Sequence, residues 1–168
     1  ASMPNEKWLT DVTEFKWYEG PNVHKLYLSA ILDLYDRRIV AFIIRDRNDN
    51  PLVFDTLDAA IKANPNAHPL FHSDRGFQYT NRVFYNKLKK AKMSQSMSRV
   101  AKCIDNGPME GFWGILKRER YYGRRFTSRE ELVQMIENYI TYYNNHRVQR
   151  NLGVLTPMEK HYSYPLAA

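Results

Sequence analysis

Apolar and polar positions along this chain fall first into strand-like runs and then into helical stripes. The run from Trp8 to Phe15 predicts a strand; Lys25 to Leu34 and Ile39 to Ile44 predict two more, joined through Tyr35-Asp36-Arg37-Arg38 as a hairpin. Asn50 can cap a helix with Pro51 at its first position, after which Val53, Phe54, Leu57, Ala60 and Ile61 line one side. Asn64-Pro65 stops that helix, and Pro69 to His72 forms a short buried strand leading into the Ser73-Asp74-Arg75-Gly76 turn. Thr80 can cap a second helix with Val83, Phe84, Leu88 and Ala91 inward, and Met93 to Ser98 reads as a brief fifth strand. Arg99 to Gly107 is polar, lacks a period and reads as a mobile loop. Pro108 opens a third helix reaching about Tyr121. Ser128-Arg-Glu-Glu131 resembles a capping box at the start of a long helix through Leu132, Met135, Ile136, Tyr139 and Tyr143. This order implies an α/β fold, a mixed five-stranded sheet flanked by helices.

At 168 residues the chain fits one domain, taken as 4–168, with Ala1-Ser2-Met3 set aside as a cloning remnant. Apolar residues at 43% and charged residues at 26% describe a folded chain rather than a disordered one. A formal net charge of +7 favours a polyanionic partner. The lone Cys103 excludes an internal disulfide and a Cys-based zinc cluster, in keeping with a reducing cytoplasm. No apolar run is long enough to span a membrane, so no membrane partner is expected.

Three acids stand where a carboxylate costs energy unless it is used: Asp11, Asp74 and Glu110. Strand alternation puts Asp11 on the same face as Leu9, interrupting a surface that should be buried. Asp74 follows a short buried strand, and in open α/β sheets ligands bind beyond the carboxyl ends of strands. Its bland reading is an aspartate that caps its own turn. Glu110 occupies the first turn of a helix whose buried stripe is Met109, Phe112, Trp113 and Leu116. Glu110, Gly114, Lys117 and Tyr121 share a separate face, where Gly114 leaves open space beside Glu110 and Lys117 can hold a phosphate. Three converging carboxylates suit Mg2+ or Mn2+, and two such ions about 3.5–4 Å apart drive in-line phosphoryl displacement. Asp33, which interrupts the second strand, and Asp105, ahead of the third helix, are reserve candidates. Asp36 belongs to the hairpin turn, Glu119 points away from Glu110, and His72 is assigned a structural role.

These residues fall in blocks that resemble a known superfamily. TDVTEF, HSDRGFQY and DNGPMEGFWGILKRE are similar to the three acidic blocks of the DDE transposase and retroviral integrase catalytic core, closest to bacterial insertion-sequence transposases. Thirty-five residues (75–109) separate Asp74 from Glu110, the family's second interval. YYNNHRVQRNLGVLTPMEK is similar to its closing motif, through Tyr143, Asn144, Arg147, Leu152, Gly153, Thr156 and Pro157. The resemblance implies an RNase H-like catalytic core with Asp11, Asp74 and Glu110 as catalytic metal ligands for two Mg2+ or Mn2+ ions. It departs from the pattern at Arg99-Val-Ala-Lys102, where a more polar, Gly-containing loop is usual, and at Gln149, where many relatives carry His. Neither a helix-turn-helix nor a zinc-binding module precedes Trp8, so sequence-specific end binding is not expected of this fragment.

The expected activity is metal-dependent DNA strand cleavage and strand transfer, in transposition, integration and recombination. A water cuts one strand, and the freed 3′-OH attacks a second phosphodiester at the same site. The expected partners are transposon ends, target DNA and a second copy of the chain. Lys117, Arg118, Arg120, Arg124, Lys102 and Arg147 are the expected DNA contacts, with Lys87–Lys92 as a further basic stretch. Trp113 and Tyr122 can stack on bases, though core packing suits Trp113 better. Tyr139, Tyr142 and Tyr143 form an aromatic surface suited to self-association. The setting would be the bacterial cytoplasm, at the nucleoid. A hydrolytic RNase H-like or junction nuclease and a non-catalytic DNA-binding module are the alternatives.

Overall fold

The computed structural model of the chain describes residues 1–97 and 106–165. Three antiparallel strands come first, β1 (Lys7–Glu19), β2 (Asn22–Asp33) and β3 (Ile39–Arg45). β1 runs past the expected Phe15 because its outer half stays paired with β2 as far as Glu19 opposite Asn22. Gly20, at φ +58°, makes the turn between them, a conformation that costs glycine little. After α1 (Asn50–Ala63), β4 (Leu70–Ser73) lies parallel to β1. After α2 (Phe77–Thr80) and α3 (Arg82–Lys90), β5 (Ser94–Met97) lies parallel to β4. The sheet order is β3-β2-β1-β4-β5, the mixed five-stranded sheet that the element order implies. α4 (Gly107–Arg120), α5 (Arg129–Asn145), a 3-10 turn (Arg150–Leu152) and α6 (Pro157–Ser163) complete the described chain.

Period-2 alternation gives the sheet two dry faces. Leu9 and Phe15 of β1, with Leu28, Ala30 and Leu32 of β2, pack against Met109, Phe112 and Leu116 of α4 and Leu132, Ile136 and Tyr139 of α5. Trp8 and Ile31 point the other way, onto Val53, Leu57 and Ala60 of α1 and Phe84 and Leu88 of α3. Each fully buried side chain of this size contributes roughly 1.5–3 kcal/mol. Asp11 is thus placed on the α4 face, as alternation with Leu9 requires.

Several local expectations are corrected. Asp49, not Asn50, caps α1, accepting from Leu52 N, so that Pro51 still falls in the first turn. Asn81, not Thr80, caps α3, because the chain first makes the extra turn α2; Val83 then faces outward at 51% exposure. Tyr139 and Tyr143 are 1% and 2% exposed, so the tyrosines of α5 form no aromatic surface. Their hydroxyls go inward, Tyr139 donating to Glu119 Oε1 (2.8 Å) and Tyr143 to the Arg37 carbonyl (2.7 Å). Gly107 belongs to α4 rather than to the preceding loop. The remainder of that loop through Asp105, with Lys102 and Cys103, lies outside the described residues.

The hairpin turn carries a buried ionic cluster. Arg38 Nη1 pairs with Asp36 (2.8 Å) and Asp33 (3.1 Å), both fully buried, and His161 of α6 reaches Asp36 Oδ2 at 2.8 Å. α6 opens with a complete capping box between Thr156 and Glu159.

Candidate active site

Asp11 lies within β1 opposite Ala30 and is half-buried. Asp74 follows the last residue of β4, and Glu110 is exposed on the first turn of α4. β4 is the parallel neighbour of β1, and α4 packs on the β1 face that carries Asp11.

Two of the acids are held by hydrogen bonds. Asp11 Oδ2 accepts from the indole Nε1 of Trp113 at 3.1 Å. Asp74 Oδ1 accepts from Gly76 N at 2.7 Å, the self-capping turn anticipated as its bland reading. Burial pushes the Asp11 carboxyl above its usual range; hydrogen bonds from Trp113 and Val12 N–H hold it down, and the charges of Asp74 and then Glu110 push it up further. Tyr79, buried on the opposite face, is raised well above its ordinary value by burial and by Asp11 and Asp74. Asp11 therefore feels both other acids. Among the described residues no three His, Cys, Asp or Glu side chains form a group ready to hold a metal ion. The donor chemistry, carboxylate oxygens, nonetheless fits a hard divalent cation.

Of the reserve candidates, Asp33 is spent elsewhere. Its oxygens accept from Asn5 N (2.6 Å), Tyr35 N (2.7 Å) and Asp36 N (3.3 Å), besides pairing with Arg38. Asp105 lies outside the described residues. His72 Nδ1 meets Ser96 Oγ of β5 at 3.0 Å.

The basic residues separate into tied and loose groups. Lys117 Nζ donates to Thr13 Oγ1 (2.8 Å) and to the Glu14 carbonyl (3.1 Å), and burial lowers its pKa. Arg147 grips Glu119 with Nη2 at 2.7 Å, while Arg120 lies over the rings of Tyr139 and Tyr142. The space expected beside Gly114 is taken by Arg118: a Cβ there would lie 3.0 Å from its Nη1. Arg118 and Arg124 are exposed, as is Tyr122 at 63%. For Trp113 the sequence offers base stacking or, better, core packing, and neither reading contains its bond to Asp11. No local signal marks it, because the bond joins residues 102 positions apart through the packing of α4 on β1.

Two family models described as "Integrase core domain" match residues 1–103 and 110–162. The chain belongs to the integrase core family. It is 43% identical over 160 residues to the putative transposase InsK of insertion sequence element IS150 from Escherichia coli (strain K12), covering 95% of this chain and 55% of that protein. It is 42% identical to an uncharacterized transposase-like protein of Haemophilus influenzae, covering 94% and 71%. The integrase core described here thus spans a little over half the length of InsK. Among solved structures, the HTLV-2 integrase catalytic core in complex with magnesium aligns with a TM-score of 0.70 at 16% identity, over 95% of this chain and 97% of that one. A simian T-cell lymphotropic virus intasome chain aligns at 0.80 and 17%, over 100% and 58%. The fold of this integrase core is therefore that of the retroviral integrase cores, RNase H-like.

Proposed function

We propose that this chain is the catalytic core of an insertion-sequence transposase, cutting and joining DNA with Asp11, Asp74 and Glu110 as the metal-binding carboxylates. The observation that carries the reading is the placement of Asp11, half-buried on the β1 face that α4 covers, with Asp74 just past the neighbouring strand β4 and Glu110 on the first turn of α4. Family membership and transposase relatives give that placement a chemical context. Bound Mg2+ or Mn2+, two ions in the active complex, would supply activation of the attacking oxygen and stabilisation of the leaving one. The residues supply position: Trp113 holds Asp11, Gly76 N–H holds Asp74, and the seating of α4 on β1 aims Glu110.

Transposon ends and target DNA are the substrates in this reading. Arg118 and Arg124 are the foremost phosphate contacts, giving affinity that falls with salt and depends little on sequence. Lys117, Arg120 and Arg147 have intramolecular partners and rank behind them; Lys102 belongs to the same set. The HTLV-2 core has been solved in dimeric and trimeric forms, and a dimer pairing two ends is the assembly proposed here. No described helix is long and apolar enough to cross a membrane.

The test is incubation of the full-length transposase that contains this core with donor-end DNA, target DNA and Mn2+. Joined product that disappears in Asp11→Asn, Asp74→Asn and Glu110→Gln supports the reading. Cut ends without joined product would make the protein a hydrolytic nuclease; no divalent-dependent cutting would leave a DNA-binding module.

A further inference from the structure

Trp113 is 7% exposed on α4, three residues beyond Glu110, with its ring against Phe112 at 5.5 Å. A buried indole N–H needs an acceptor. The acceptor here is Oδ2 of Asp11, the acid that interrupts the apolar β1 face. The next contact along is Lys117 Nζ on Thr13 Oγ1, so residues four apart on α4 meet residues two apart on β1. The spacings agree: about 6 Å of rise for four helical residues and about 6.6 Å for two strand residues. The helix therefore cannot slide or turn on the strand without breaking both contacts. Glu110 lies one turn before Trp113, about 60° round the same side, so that seating also determines where its carboxylate stands.

We propose that Trp113 is a positioning residue for the carboxylate site: its indole N–H holds Asp11 through Oδ2, and the same contact fixes the rotation of α4 that carries Glu110. This rests on the metal-site reading above and adds to it a residue outside the acidic triad.

The test compares Mn2+ affinity, by titration calorimetry of this chain, among wild type, Asp11→Ala, Trp113→Phe and Trp113→His. Trp113→Phe keeps an aromatic ring and removes the donor. It should weaken Mn2+ about tenfold or more while lowering the melting temperature by no more than several degrees, and Trp113→His, which restores a ring N–H, should recover part of the affinity. Wild-type affinity in Trp113→Phe overturns the inference. An independent measurement on unaltered protein follows the three indole N–H resonances in a Mg2+ titration. The Trp113 signal should move while Trp8 and Trp17 stay, and a stationary Trp113 signal also overturns the inference. Should Asp11→Ala bind Mn2+ as tightly as wild type, the metal-site reading falls, and this inference with it.

Discussion

The backbone N–H of Gly76 donates to Asp74 Oδ1 at 2.7 Å, and a Cβ on Gly76 would lie 2.9 Å from that same oxygen. The glycine is needed for closeness, since its φ of −56° is open to any residue. Gly76→Ala must push the carboxylate aside. Strand transfer should fall about 10–100-fold, as when partners of metal ligands are lost, while the melting temperature moves by only a few degrees. Unchanged strand transfer would mean that this turn does not set the carboxylate.

Lys117 is treated by the fold as a clamp before it can serve as a phosphate contact. With its ammonium on Thr13 Oγ1 and the Glu14 carbonyl, Lys117→Met should cost about 2 kcal/mol, read from urea unfolding. Thr13→Val removes one of the same bonds, so the pair should couple by at least about 0.5 kcal/mol in a double-mutant cycle. Strict additivity would count against the clamp.

Arg38 balances two carboxylates that are themselves fully buried. Arg38→Ala removes the guanidinium shared by Asp33 and Asp36, leaving His161 against Asp36, and should cost about 3–5 kcal/mol in a denaturant titration. A loss below about 1 kcal/mol would show that solvent reaches the turn.

Burial pushes the Tyr143 phenol up to about 12. In the unfolded chain it titrates near 10. Between those values the unfolded state has released this proton and the folded state still holds it, so stability falls as pH rises through the window. Tyr143→Phe should lose about 1 kcal/mol at neutral pH with the bond to the Arg37 carbonyl. Its decline between about pH 10 and 12 should be shallower than that of wild type, by up to about 1.4 kcal/mol per pH unit. Parallel alkaline profiles would refute the assignment.

Much of the fold was legible because alternation and helical spacing are local. Leu9 and Asp11 announce their shared face, and Val53, Leu57 and Ala60 announce the buried side of α1. Caps were read less well, since several polar residues compete at each helix start. Ser128 accepts from Glu131 N as expected, but the complete box forms at Thr156 and Glu159, in a helix too short to show periodicity. The tyrosines of α5 misled for a related reason: a phenol looks amphipathic in sequence, and only the positions of Glu119 and of the Arg37 carbonyl decide that it turns inward. At the proposed site, Asp11 stands out by the apolar face it interrupts, whereas Asp74 and Glu110 are exposed and interrupt none. The fastening of Asp11 by Trp113 depends on how distant segments meet.

The strand that leads into Asp74 is a short anchor, four residues matched to β1 at three positions and to β5 at four. A slip of one residue would turn its side chains to the opposite face and drag the following bend by about 3.3 Å. Fraying that begins at the outer edge, β5, should therefore displace Asp74 while the long antiparallel hairpins still hold their shape.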